Sequence, residues 1–364
     1  MKAVTVIKIS FAIVIVLLIC AVIAIFSLYN TSLKAYDIND KTTFEIEIPA
    51  GSTYYSISDL LYDKQLIKSK TIYKVYLKLN PPTKELKAGF YTVSRSMDLK
   101  TIISVLEAGG NSVNPDEIKI TFREGLNMRG IAKVIAENTN NTEKDVFNLL
   151  KDTDYINGLI SKYWFITDEI KDDEIFYPLE GYLFPNTYNF INKDVTVEEI
   201  FEVMLNEMDK QLTPLKEELE KSEYTVHEIL TLASIIELEA LNTSDRKNVS
   251  GVFYNRLNSN MSLGSDVTTY YAVGIDMGDR DLYKAEIEAV NAYNTRPGAM
   301  AGKLPVGAIC NPSLSSIEAA VKPNKTSYMY FVADKNGKVY FTKTLAEHNQ
   351  IIQKLKAEGL WFTY

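Results

Sequence analysis

Histidine and cysteine are almost missing from this chain of 364 residues, which has two of each. His227 and His348 stand far apart without ligand-spaced company, so a histidine-based zinc site is not expected, and neither is any other metal or cofactor. Cys20 falls inside an apolar N-terminal run, which leaves Cys310 without an intramolecular partner and rules out a disulfide framework. Whatever folds here must be held by its core alone. An excess of basic charge is missing too: 39 Lys and Arg against 47 Asp and Glu give a net charge of -8. That balance argues against nucleic acid as a partner and leaves no basic patch for anionic lipid. No internal repeat and no low-complexity run is present.

One long hydrophobic run is there. Residues 9–29 carry no charge and residues 11–26 are apolar throughout, about 20 residues, enough to cross a bilayer core of roughly 30 Å as a helix. Lys2 and Lys8 precede the run, while Lys34, Asp37 and Asp40 follow it. The positive-inside bias therefore gives a cytoplasmic tail at 1–8, a transmembrane helix at 9–29, a tether at 30–43 and a body outside the cytoplasmic membrane. A cleaved signal peptide fits less well, because the run is long for one and no small-x-small site follows it. A lipoprotein site at Cys20 is disfavoured by the bulky Ile19 before it. Roughly 330 residues remain outside the span, enough for two or three domains with sizeable cores.

Periodicity predicts an α+β body. Residues 44–48 alternate as a half-buried strand, 49–52 form a turn, 56–66 and 69–79 have helical spacing, and 89–93 form another strand. With a helix over 98–107 ended by Gly109 and Gly110, these make a small module at 44–110. A linking α/β subdomain at 111–171 is expected to hold a strand over 117–122 and helices over 128–137 and 143–151. The remainder, 172–364, has longer helices and Gly, Pro and Asn punctuation. It is expected to be a C-terminal mixed α/β domain.

The segment 225–240 carries the clearest chemical signal. Thr225 and Glu228 make a capping box, and Ile229, Leu232, Ile235 and Ile236 recur at helical spacing. One further turn of that stripe brings it to Glu239, whereas Glu237 points roughly 200° around the helix. A desolvated acid holds its proton to higher pH, as a general acid must. The alternative is a helix-end Glu that snorkels to solvent or pairs with Arg246 or Lys247. His227, in the first turn, reads as a surface residue.

Other segments supply candidate ligands. Residues 179–188 set Glu180, Tyr182, Phe184 and Asn186 among Gly and Pro, as suits a wall that stacks on sugar faces while amides bond hydroxyls. An aromatic-rich anchoring loop is the other reading. A helix over 250–257 with Val252, Phe253 and Leu257 inward leaves Asn255 and Arg256 near its end. Ser265 and Asp266 lie in one short polar stretch between helices and Asn294 in another, and Asn311 lies in a rigid loop over 304–312. Residues 328–333 and 338–342 read as a hairpin.

Taken in order, these segments resemble a family. Glu-Gly-Tyr-Leu-Phe-Pro-Asn-Thr-Tyr from 180, Ala-Ser-Ile-Ile-Glu-Leu-Glu from 233, Val-Phe-Tyr-Asn-Arg-Leu from 252 and Ser-Asp-Val-Thr from 265 are joined by Tyr-Asn-Thr from 293. Leu-Pro-Val-Gly-Ala-Ile-Cys-Asn-Pro from 304 and Tyr-Phe-Val-Ala-Asp from 330 complete the set. The set resembles the MltG (YceG-like) endolytic murein transglycosylases over residues 44–364, most strongly after about residue 175. Departures are Gly264 and Val267 around the Ser-Asp pair, Val306 and Ser313 in the Leu-Pro loop, and a longer 296–303 stretch.

The resemblance implies a LysM-like module at 44–110 and a catalytic transglycosylase domain at 172–364 that cuts nascent glycan strands beside the membrane. It also implies a general acid at Glu239 and substrate contacts at Glu180, Tyr182, Phe184, Asn186, Asn255, Arg256, Ser265, Asp266, Asn294 and Asn311. Peptidoglycan glycan strands, the cytoplasmic membrane and cell-wall synthesis proteins are the implied partners. Hydrolytic glycosidases normally need two carboxylates, but a lytic transglycosylase can use one, which suits this sequence. A non-catalytic wall-binding scaffold and a lysozyme-type hydrolase with Glu180 as second carboxylate are the alternatives.

Overall fold

The computed structural model describes residues 2–111, 117–240 and 242–361, with side chains from residue 14 onward. It divides into two compact units, Met1–Glu117 and Ile118–Tyr364.

The first unit opens with helix α1, Lys2–Leu33, of which Val14–Leu33 is long and apolar enough to cross a membrane; the apolar run is exposed, and its end, at Leu33, packs against the unit's core. The helix runs past residue 29 because Asn30, Thr31, Ser32 and Leu33 offer no breaker. Then follow β1 (Thr43–Ile48), α2 (Ser58–Asp63), α3 (Lys70–Leu79), β2 (Gly89–Ser94) and α4 (Leu99–Ala108). β1 and β2 pair antiparallel from Thr43 opposite Ser94 to Ile48 opposite Gly89. Ser69 caps α3 by accepting from the Ile72 amide, and Asp98 caps α4 through the Thr101 amide. α2 is shorter than the expected 56–66 helix. Thr53 and Ser56 exchange amide-to-hydroxyl bonds that hold a turn before it, and Gln65 at φ 58° ends the helical path. Ile46, Ile48, Leu61, Tyr73, Leu77, Val93, Ile102 and Leu106 fill the core between the ladder and the helices.

The second unit holds β3 (Ile118–Thr121), α5 (Met128–Asn138), α6 (Glu143–Leu149), α7 (Thr153–Lys162) and β4 (Thr187–Phe190). Next come α8 (Val197–Leu212), α9 (Lys216–Lys221), α10 (Val226–Glu239), α11 (Thr243–Asn258), α12 (Asp266–Ala272) and α13 (Lys284–Glu288). It ends with α14 (Leu314–Val321), the hairpin β5 (Tyr330–Ala333) and β6 (Val339–Thr342), and α15 (Leu345–Ala357). β3 pairs antiparallel with β4, Thr121 opposite Thr187, and one apolar core runs from Ile120 to Ala320. The expected stretches 111–171 and 172–364 thus share a ladder and a core. α10 is the hub, packed against α11, α12 and α14. Ile229, Leu232, Ile235 and Ile236 are buried as the stripe requires, but so are Leu230, Thr231, Ala233 and Ser234, so the helix is covered on all sides. The 265–270 stretch, expected between helices, forms the start of α12.

Candidate active site

Glu239 is the last residue of α10. Thr225 and Glu228 form the expected capping box at its other end, and Ala240 leaves the helical conformation (φ -104°, ψ 102°). A fully enclosed helix would bury its charge at a cost of several kcal/mol. The end of α10 instead opens on a pocket of about 460 Å³ lined by Glu239, Arg256, Ser265, Asp266, Arg296 and His348, with Tyr330 and Trp361 among its apolar members.

Ser265 Oγ donates to Glu239 Oε1 at 2.5 Å. Ser265 is itself fixed, because its amide donates to Thr295 Oγ1 (3.1 Å) and its carbonyl accepts from Thr268 Oγ1 (2.7 Å). Burial holds the Glu239 carboxyl above the usual carboxylate range. Asp266 pushes the same way, while the Ser265 hydroxyl and the Arg296 and Arg256 guanidinium groups pull against it. Asp266 is held by Arg296 at 2.5 Å, and Arg256 donates from Nε to the Met329 carbonyl (2.7 Å) and from Nη1 to that of Leu263. The pocket therefore presents one half-buried acid with its charge-sensitive neighbours already paired.

Glu237 leads elsewhere. Its Oε1 meets Arg246 Nη2 at 2.8 Å, and its Oε2 accepts from the Ser313 amide (2.9 Å) and hydroxyl (2.5 Å). Arg246, considered as a partner for Glu239, is thereby committed to Glu237. The rotation between the two positions sends one carboxylate to α14 and the other to the pocket.

Several expected ligands occupy the interior instead. Glu180 is 2% exposed; it accepts from the Met128 amide (2.8 Å), Tyr271 Oη (3.0 Å) and Asn311 Nδ2 (3.1 Å). Burial outweighs those donors and pushes its pKa up to about 8. Asn311 Oδ1 accepts the Gly181 and Leu183 amides at 3.1 and 2.9 Å. Gly181 at φ 88° lies so close to the 308–310 loop that a Cβ would sit 2.4 Å from that of Ala308. Tyr182 and Phe184 are buried, so these rings pack in the core and are not an open wall. Asn186 is exposed and accepts from the Thr187 amide; Asn255 Nδ2 donates to the Thr326 and Tyr328 carbonyls. Asn294 accepts from Thr269 Oγ1 and donates to the Ala289 carbonyl.

Of the expected contacts, Arg256, Ser265 and Asp266 line the Glu239 pocket, and Glu180, Tyr182, Phe184, Asn186, Asn255, Asn294 and Asn311 do not. Arg296, Tyr330, His348 and Trp361 line it without having been expected. Their separation from Glu239 along the chain left no periodic signal to find them by. His227 is a correction. It is buried, not at the surface, because α10 is enclosed from its first turn. Its Nε2 donates to the Val306 carbonyl (2.7 Å), so Nδ1 accepts from Tyr182 Oη (2.8 Å).

A larger cavity of about 680 Å³ beside His227 has Asp168, Glu169 and Asp172 at its rim, all exposed to solvent. The fourth acid of its lining, Glu228, is half-buried and committed to the Thr225 amide in the capping box (2.8 Å). Among the described residues, no three His, Cys, Asp or Glu side chains are placed to hold a metal ion.

The model of the YceG-like family matches residues 46–354. The chain is 39% identical over 329 residues to an endolytic murein transglycosylase of Bacillus subtilis, which covers 90% of this chain and 89% of that protein. It is 33% identical over 334 residues to one from Streptococcus pneumoniae, covering 88% of this chain and 59% of the longer relative. A crystal structure of a YceG-like protein from Listeria monocytogenes superposes with a TM-score of 0.60 at 38% identity, over 85% of this chain and 99% of that one.

Proposed function

Because this chain belongs to the YceG-like family, we infer that it is an endolytic murein transglycosylase with Glu239 as its general acid. The observation that carries the assignment is the single desolvated, Ser265-bound carboxyl at the mouth of the pocket. Glu239 protonates the glycosidic oxygen between N-acetylmuramic acid and N-acetylglucosamine. The carboxylate left behind is stabilised by Ser265, Arg296 and Arg256, and then takes the proton of the 6-hydroxyl on the same N-acetylmuramic acid. That oxygen attacks C1 and closes a 1,6-anhydro ring, so the proton lent is returned and no water is consumed. Intramolecular attack brings an effective molarity that offsets the absent second carboxylate. Asp266, the other acid in the pocket, is tied to Arg296, and Glu180 lies outside the lining.

In this reading α1 anchors the chain in the cytoplasmic membrane with residues 1–8 in the cytoplasm and the body outside. The 44–110 module is LysM-like and holds glycan, and cell-wall synthesis proteins are partners. The test is digestion of uncrosslinked glycan strands by the full chain in detergent, in water enriched in oxygen-18, followed by mass spectrometry. Internal cuts ending in 1,6-anhydro-N-acetylmuramic acid without heavy oxygen are expected, at a rate that EDTA leaves unchanged. Heavy oxygen at the new ends would establish hydrolysis and overturn the mechanism. Unaltered strands would point to a scaffold.

A further inference from the structure

One wall of the pocket comes from hairpin strand β5, helix α15 and the segment after it, which supply Tyr330, Phe331, Val332, Leu345, His348 and Trp361. His348 stacks on Tyr330 with ring centroids 5.4 Å apart and an interplanar angle of 30°, and the same Tyr330 ring carries the Arg256 guanidinium at 5.2 Å. This fixes the imidazole in place. Several of the pocket's other donors are committed: Ser265 to Glu239, Arg256 Nε and Nη1 to backbone carbonyls, and Arg296 Nε to Asp266. Among the described residues the His348 ring makes no hydrogen bond at all.

Its two nitrogens differ. Nδ1 is enclosed and unpartnered, which leaves Nε2 as the nitrogen open to the pocket. An orphaned buried N–H is rarer and costlier than an orphaned acceptor, so the proton of the neutral ring is assigned to Nε2. Burial and the nearby Arg256 charge hold the ring's pKa below its ordinary value, which keeps it neutral near pH 7. The outcome is a fixed, uncharged imidazole N–H donor in a lining that also includes Leu345 and Trp361.

We propose that His348 is a positioning residue that donates from Nε2 to the N-acetyl carbonyl of the sugar seated beside Glu239, with the acetyl methyl against the apolar part of that wall. A carbonyl, which only accepts, suits a group that only donates. A methyl beside it suits the carbon surface that Leu345 and the Trp361 ring give this lining. The proposal rests on the transglycosylase reading and adds a substrate requirement to it: at least one sugar flanking the scissile bond must be N-acetylated.

The test is a binding cycle on full-length E239Q in detergent, which does not cut its ligand, with matched N-acetylated and de-N-acetylated glycan strands. Adding His348→Ala should weaken binding of acetylated strands about 5–10-fold, as loss of one neutral hydrogen bond does. It should leave binding of de-N-acetylated strands unchanged, so that the two effects couple. His348→Gln, which keeps a donor near the Nε2 position, should recover most of the loss. Equal weakening on both strand types, no weakening, no preference of E239Q for acetylated strands, or a Gln variant no better than Ala would each overturn the proposal. Formation of anhydro ends by the wild-type chain on acetylated strands, measured alongside, reports separately on the transglycosylase reading.

Discussion

Glu237 and Glu239 sit two residues apart at the end of α10, and the same change, Glu to Gln, should have opposite consequences at the two positions. At Glu239 the amide keeps the size and can still accept from Ser265, but it has no carboxyl proton to give, so kcat should fall by at least about 10²–10⁴-fold. Its effect on stability follows from the raised pKa. The folded state holds the Glu239 proton where the unfolded chain has released it, so the stability tied to that proton is complete below the ordinary carboxylate range. It is lost as pH rises through the folded value. Gln titrates in neither state. Glu239→Gln should therefore match or exceed wild type in stability at neutral pH, with the gap narrowing on acidification.

At Glu237 the charge is the point. The side chains of Arg246 and Glu237 are 9% and 6% exposed and meet at 2.8 Å, so a neutral amide would leave the guanidinium buried without a counter-charge. Breaking such a pair from one side typically costs 3–5 kcal/mol. Gln retains one oxygen, able to take either the Arg246 donor or both Ser313 donors, which places the expected loss near the low end, about 3 kcal/mol. For a unit of this size that is a fall of ~6–12 °C in Tm. Cleavage by the folded fraction at low temperature should persist. Both tryptophans, Trp164 and Trp361, lie in the second unit, so their emission during thermal unfolding reports on that unit. A dead but stable Glu237→Gln, or an active Glu239→Gln, would refute the assignment of the two faces.

Three further outcomes are expected. In initial rates against pH, Ser265→Ala should move the alkaline limb upward, because the lost hydroxyl lowers the acid's pKa. Asp266→Asn should move it downward, because that charge raises it; shifts in the same direction would mean the limb belongs to another group. Glu180→Gln should keep cutting glycan, and in wild type this buried acid should erode stability by up to about 1.4 kcal/mol per pH unit between the carboxylate range and its pKa of about 8. The Gln variant should lack that slope in urea titrations from pH 5.5 to 7.5, and an unchanged slope would assign it elsewhere. Protease added to intact spheroplasts should remove the body from residue 34 onward, whereas protection of the full-length chain would invert the topology.

The sequence by itself was enough for the elements that local chemistry dictates. A charge-free run of this length can only be a membrane span, a signal peptide or a buried helix, and the capping box at Thr225 with a 3.6-residue period set α10 and left Glu239 at its end. Alternation gave β1, and helical spacing gave α3. The ordered motifs carried the family, since their residue types and spacing are written directly in the chain. What a side chain meets across the fold was not legible. The stripe on α10 implied one buried face, yet the helix is enclosed by α11, α12 and α14, so His227 went inward and Glu237 found Arg246 and Ser313. The aromatic run at 179–188 reads equally as a sugar platform or as core, and its burial against the 308–311 loop made it core. Arg296, Tyr330, His348 and Trp361 reach Glu239 from far along the chain through loop and hairpin packing that no local period encodes. Local propensity decides where a helix ends; only the closing of the tertiary structure decides which groups stand around that end.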